Sequence, residues 1–353
     1  MKKIGSIQLG LTFAGCFLGA GYVSGQEMWQ FFGRFGRNGI IGLFFALFLL
    51  GFVGIAMLRL TEVTGILDTD RLIAEGEHPL LHGIITVFEI IFLFGVSIIM
   101  TAGVGALAEK LFGIPFWLGC AVFSAVVTAA ALTGLRGMVA AFSATVPVLV
   151  LATLLFGIYS VLHSGISFAP AEASEAANPL LLFWPLAAVS FACYNMFCSV
   201  AIIAPLGVSL KSGRTAFGGI ALGVLILLFV ALSVLISVSA VGTGTEELPM
   251  LSMALAISRP LGLIYGILLF LAMFGACLSN LIAFVRVVAS KSKRIASSKI
   301  AFHIFCGIAV FALSLFGFGD LIGVLYPIFG YCSSIFIVML VIRYLKMLRK
   351  QQI

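Results

Sequence analysis

Almost nothing in this chain lies outside a long apolar run. Ten segments are long enough to cross a bilayer, which takes about 20 apolar residues in a helix. They fall at 6–32, 38–60, 80–108, 113–133, 136–162, 179–207, 215–240, 258–287, 297–316 and 320–346. No stretch between them is long enough for a soluble domain. With 62% hydrophobic and 9% charged residues, the composition excludes an ordinary soluble fold, where roughly 25% would be charged. The expectation is an all-α polytopic membrane protein of ten transmembrane helices, one transmembrane domain over 1–353.

The net charge of +7 does not signal nucleic acid, because the basic residues sit at the ends of apolar runs. With the amino terminus in the cytoplasm, sixteen of the twenty Lys and Arg residues fall on the cytoplasmic side. That bias predicts both termini inside. The acidic stretches 171–179 (AEASEAANP) and 245–249 (TEELP) then lie outside. The seven cysteines show neither zinc spacing nor a disulfide pattern and read as small buried hydrophobes.

Ten crossings with both ends inside divide into five plus five, 1–163 and 179–347, the second half inverted. In such repeats a broken helix recurs at matching positions, with substrate at the break. The first run carries GCFLGAGYVSGQE, 15–27, with four glycines followed by Ser24, Gln26 and Glu27. Glycine weakens a helix by about 1 kcal/mol relative to alanine. A plain anchor has no use for this pattern; a break lining a cavity does. The matching sixth run carries Ser190, Tyr194 and Asn195 at mid-depth, with Pro185 and Pro205 near its ends. Breaks are therefore expected near Gly19, Ala20 and Gly21, and near Phe191, Ala192 and Cys193. The bared amides suit a carboxylate and the bared carbonyls a cation. The competing reading is helix packing, since Gly15/Gly19 and Gly21/Gly25 fit G-x-x-x-G spacing.

Ala276, Ser279 and Asn280 share one face of the eighth run and offer hard oxygen ligands, or else simply bond to their own backbone. Two acids, Glu27 and Glu89, lie inside apolar runs, where an ionisable residue marks a functional site by default. Glu27 is a candidate for holding a cation or a proton, or for pairing with Arg34 or Arg37. Glu89 is a second candidate for coupling or carrying a proton, or else pairs with Arg286. GFGD, 317–320, matches the G-x-G-D of intramembrane aspartyl proteases, but Asp68 and Asp70 are the only other aspartates and lie in a loop, so no catalytic carboxylate pair is expected. No enzyme activity and no cofactor is expected.

The motif GAGYVSGQEMWQFFGRFG, 19–36, with FACYNMF at 191–197, resembles the YkvI-like bacterial membrane proteins of the amino acid–polyamine–organocation superfamily, which have the leucine-transporter (LeuT) fold. The resemblance implies a secondary transporter of a small amino acid or related amine-bearing solute. Substrate contacts are expected at the two breaks, at Gly19, Ala20, Gly21, Phe191, Ala192, Tyr194 and Asn195. The resemblance also implies a coupling Na⁺ between helices one and eight, on the carbonyls of Gly15, Leu18 and Ala276 and the side chains of Ser279 and Asn280. Asn280 departs from the hydroxyl usual there. Proton coupling through Glu27, and a receptor that binds without transporting, are the alternatives. The expected partners are a small-molecule substrate and membrane lipid.

Overall fold

A computed structural model describes residues 3–76, 78–133, 145–165, 178–210, 213–241, 246–291 and 298–351. The start of the expected fifth segment, most of the acidic stretch at 171–177, and Lys2, Arg136, Lys211, Lys293 and Arg294 of the orientation argument lie outside these residues.

The described chain is helical almost throughout. The first apolar run is three helices: α1 (Ser6–Phe17), α2 (Ala20–Ser24) and α3 (Gln26–Phe31). There follow α4 (Arg37–Thr64), α5 (Thr69–Ile73), α6 (Pro79–Phe112), α7 (Phe116–Thr133), α8 (Thr145–Ser164), α9 (Trp184–Ile203) and α10 (Gly213–Val241). The last four are α11 (Pro249–Ile257), α12 (Arg259–Lys291), α13 (Lys299–Ser314) and α14 (Phe318–Gln351). Six stretches are long and apolar enough to cross a membrane, at 37–64, 79–112, 184–209, 213–239, 259–289 and 318–349. Shorter apolar helices at 6–17, 116–132, 147–163 and 300–314 occupy the remaining expected places. The chain is a multi-pass membrane protein.

Helix α1 packs along α10, and α12 along α6, while α9 lies between α14 and α4. Glycines make the first of these contacts close. A Cβ on Gly219 would meet Leu9 at 2.5 Å, and one on Gly223 would meet Phe13 at 2.7 Å. The G-x-x-x-G mode of packing therefore operates here, on α10. It does not operate at Gly15/Gly19: nothing lies within 4 Å of a Cβ on Gly15, and only Phe17 O, at 4.0 Å, near one on Gly19.

The sixth run corrects the expectation of a second break. Helix α9 runs uninterrupted through Phe191, Ala192 and Cys193. Pro185 sits in its first turn, where no amide is needed, and Pro205 lies beyond its end in a 3-10 turn at Ala204–Ser209. The mid-depth polar side chains mark contacts between helices. Ser190 donates to Pro327 O on α14 at 3.3 Å, and Tyr194 and Asn195 reach toward α3.

Candidate functional site

The first break has a definite geometry. Leu18, at φ −74°, ψ 52°, forms an inverse γ-turn closed by the Gly19 amide donating to Phe17 O at 2.7 Å. The Tyr22 amide donates to Gly19 O at 3.1 Å. In an unbroken helix the Gly19 amide would bond Gly15 O, and the Tyr22 amide would bond Leu18 O. The break thus diverts both donors from the two carbonyls that the resemblance assigns to a cation.

A second interruption follows at Gly25, in the left-handed region at φ 92°. Only glycine takes this conformation readily. A Cβ there would also lie 2.9 Å from Val238 Cγ2 and 3.1 Å from Met250 Cγ. The turn restarts the chain as α3 and folds Glu27 back over α2, so that a Cβ on Gly21 would lie 2.7 Å from Glu27 Oε2. Gly21 is a glycine because the carboxylate occupies the place of its side chain.

Glu27 is 4% exposed. Tyr194 donates its hydroxyl to Oε1, and Asn195 donates Nδ2 to the same oxygen at 3.5 Å and to Phe191 O at 3.0 Å. Oε2 accepts no hydrogen bond among the described residues. Among the described residues no cationic side chain compensates the acid. The ion pairs among the described residues are Arg59–Glu62, His82–Asp70 and Lys110–Glu246. Arg34, an expected partner, stands instead over the Phe35 ring at 5.3 Å. Around the carboxylate the Tyr194 and Tyr326 rings stack at 4.7 Å, and Phe31 and Phe191 pack against Tyr194. Tyr22 is held by its hydroxyl on Leu227 O at 2.8 Å.

Exposed positions on the helices that carry this group's neighbours form two stripes. On α1, Ile7, Leu11, Gly15 and Gly19 recur every four residues and are all exposed, up to 72% at Ile7, whereas Gly21 and Tyr22 are buried. On α9 the pattern repeats: Ile202 and Cys198 are exposed, and Asn195, Tyr194 and Phe191 are buried. The two helices touch. Both stripes end beside buried residues that surround Glu27. At the far end of the α1 stripe a hollow of about 720 Å³ is lined by Lys3, Ser6, Gln8, Leu11 and their neighbours.

The opposite end is closed by two neighbouring acids. Glu247 accepts the amides of Phe318 and Gly319, at 3.0 and 3.3 Å, and so caps α14. Glu246 takes Lys110 at the end of α6 and Ser252 in α11. The acids of TEELP and the backbone of GFGD, unrelated in sequence, meet here. Gln26, 4% exposed, lies beneath with its Oε1 unsatisfied; a Cβ on Gly319 would approach its Nε2 to 2.9 Å.

The remaining expected residues fall out as follows. Phe191 and Ala192 are buried, but their amides belong to a continuous helix, so they offer no backbone binding groups. Ser279 Oγ donates to Gly275 O at 2.7 Å and Asn280 Nδ2 to Ala276 O at 2.8 Å, the local back-bonding that residues of this kind favour. Those bonds use the hydrogens and leave the side-chain oxygens with lone pairs. Glu89 is partly buried and makes no ion pair among the described residues; the expected partner, Arg286, is exposed. Sequence reasoning missed Tyr326, Cys198 and Glu247. Of these, only Cys198 carried a signal, one helical turn beyond Tyr194.

No family model matches the chain. Two Bacillus subtilis (strain 168) proteins are similar over nearly their whole length. The uncharacterized membrane protein YkvI is 27% identical over 358 residues, 95% of each chain. The uncharacterized protein YyaD is 27% identical over 339 residues, 94% of this chain and 95% of its own. Among solved structures, MhsT in complex with L-phenylalanine matches with TM-score 0.60 at 16% identity, over 96% of this chain and 89% of its own. The inward-facing conformation of Mhp1 matches with TM-score 0.62 at 16% identity, over 94% of this chain and 74% of its own. A mutant of the manganese transporter from Eremococcus coleocola matches with TM-score 0.55 at 13% identity, over 94% of this chain and 84% of its own. The fold is the LeuT fold. The solved proteins that share it are transporters with dissimilar cargoes, so the fold itself names no substrate.

Proposed function

We propose that this protein is a secondary transporter that moves a small amino acid or related amine-bearing solute by alternating access. The observation that carries the reading is Glu27: a buried carboxylate with no cationic side chain beside it among the described residues, at the break of the first span, where two exposed helix stripes end. An unpaired buried carboxylate costs several kcal/mol unless a cation accompanies it. The exposed stripes of α1 and α9 serve as the route to it, in a state open toward the amino-terminal end of α1. The amides at Ala20 and Gly21 take a solute carboxylate, and Tyr194 and Asn195 orient the acid that faces its amine.

The proposed setting is a bacterial cytoplasmic membrane, with ten crossings, both termini inside and the halves 1–163 and 179–347 inverted. The charge bias of the loops supports that orientation. Coupling to Na⁺ on Gly15, Leu18, Ala276, Ser279 and Asn280 is supported by two carbonyls released at the break and by two side-chain oxygens with free lone pairs. Proton coupling through Glu27 is the second reading, favoured by its burial with no cationic side chain beside it among the described residues.

The test is a thermal-shift screen of purified protein against amino acids, polyamines and organic cations, in Na⁺ and in K⁺ at two pH values. A ligand that binds only the folded state raises the melting temperature. A shift that requires Na⁺ and disappears in Ser279→Ala supports sodium coupling. One that ignores Na⁺ but follows pH moves coupling to Glu27. Binding without uptake into proteoliposomes makes the protein a receptor and overturns transport.

A further inference from the structure

We propose that Glu27 is a one-cation exchange site, at which an ammonium group of the solute displaces a resident proton. The idea rests on the reading of the α1–α9 stripes as the solute route. It goes beyond that reading by fixing the solute's charge and the stoichiometry: one organic cation for one proton.

Four observations carry it. Oε1 is engaged by two donors from α9, so only Oε2 is free to meet a cation. Gly21 gives Oε2 the room it occupies, since a Cβ there would lie 2.7 Å from it. The surrounding side chains are aromatic, with Tyr194 and Tyr326 stacked on each other and Phe31 beside Tyr194, so little water competes there for an ammonium. Finally, the site contains a single negative charge. The titratable groups around it are Tyr22 on α2, Tyr194 and Cys198 on α9 and Tyr326 on α14, all neutral in their ordinary forms. Tyrosines and thiols add no second negative charge, so a proton and an ammonium cannot share Glu27 favourably.

The step balances. In the empty protein the O–H bond of the Glu27 carboxyl is intact. When R–NH₃⁺ arrives, that bond breaks, the electron pair stays on the carboxylate, and the proton leaves along the exposed stripe to water. For a solute whose only charge is the ammonium, charge in the site is unchanged at each stage, and the full cycle is electroneutral exchange of an organic cation for a proton.

The experiment is titration calorimetry on the full-length purified protein, in buffers of different ionisation enthalpy, with propylamine, putrescine and L-alanine as probes. In the acidic range propylamine should release about one proton on binding and lose affinity about tenfold per pH unit on acidification. Glu27→Gln, which keeps an oxygen for Tyr194, should abolish the released proton. Should that variant fail to fold, the infrared carbonyl band of a protonated carboxyl in the wild type must vanish on adding propylamine. Propylamine binding without proton release overturns the exchange. Alanine binding without proton release, with no amine binding, also overturns it while the proposed transporter stands. If none of the three probes binds or enters proteoliposomes, both fall.

Discussion

The two ends of the first span solve opposite problems with the same kind of residue. At the amino-terminal end, Gly15 and Gly19 face empty space, and the stripe they continue is exposed. At the other end, Gly25 and Gly319 press against Met250 and Gln26, and everything around them is packed. Glycine opens one end and lets the other close. Between them stands Glu27. A transport site needs this asymmetry, because a group open at both ends would leak and one closed at both would be unreachable.

The largest expected effect comes from filling the space between the two ends. Gly21→Leu places carbon where Glu27 Oε2 now lies, so solute binding should be lost while the protein stays folded. Wild-type thermal shifts with solute in that variant would break the comparison. Next is access. Cys198 is exposed and Cys277 is buried, so a soluble maleimide should modify Cys198 roughly tenfold faster or more, because thiol reactivity requires access. Mass spectrometry of the labelled peptides reads the ratio, and equal labelling would mean the stripe is sealed.

The closed end can be loosened directly. Glu247→Ala removes the acceptor of two α14 amides and should cost about 1–3 kcal/mol. It should also expose a cysteine placed at Gln26 to labelling, whereas Glu247→Gln, which keeps an oxygen there, should not.

The smallest effect is on pH. Burial pushes the Glu247 carboxyl up, helped by Asp320 and Glu109, against the downward pull of the two amides. A raised folded value means that its stabilising contribution is complete at low pH and lost as pH rises through the carboxylate range. Burial raises Glu246 too, but hydrogen bonds from Lys110 and Ser252 and the charge of Lys110 outweigh it, and its value is lowered. Its contribution is present at neutral pH and lost on acidification. For a pair this exposed the amount is below about 1 kcal/mol after solvent screening. Lys110→Met should therefore flatten the acid side of a melting-temperature profile in low salt and leave the alkaline side alone. An unchanged acid side would show that the pair contributes nothing.

Much of this architecture is legible in the sequence, because helix length and apolar run length are the same constraint in a membrane. The break at Gly19 is legible for the same reason: four glycines in 13 residues cannot serve an anchor. The continuity of α9 is not. Ser190, Tyr194 and Asn195 have the chemistry of a break and of a cross-helix contact alike, and only the position of Glu27 decides between them. Glu247 is equally opaque, since its ligands are backbone amides 71 and 72 residues away, which no side-chain pattern announces. The second glycine turn, at Gly25, follows from packing against α11, a short helix that begins at Pro249 in a loop without apolar length.

The most direct test of the account is uptake of radiolabelled amine-bearing solutes into proteoliposomes holding equal amounts of folded wild type or Gly21→Leu. The account predicts saturable uptake by the wild type, driven by an imposed Na⁺ or proton gradient, and none by the variant. Equal uptake by both would contradict a site at the break of the first span, and no uptake by the wild type would contradict transport itself.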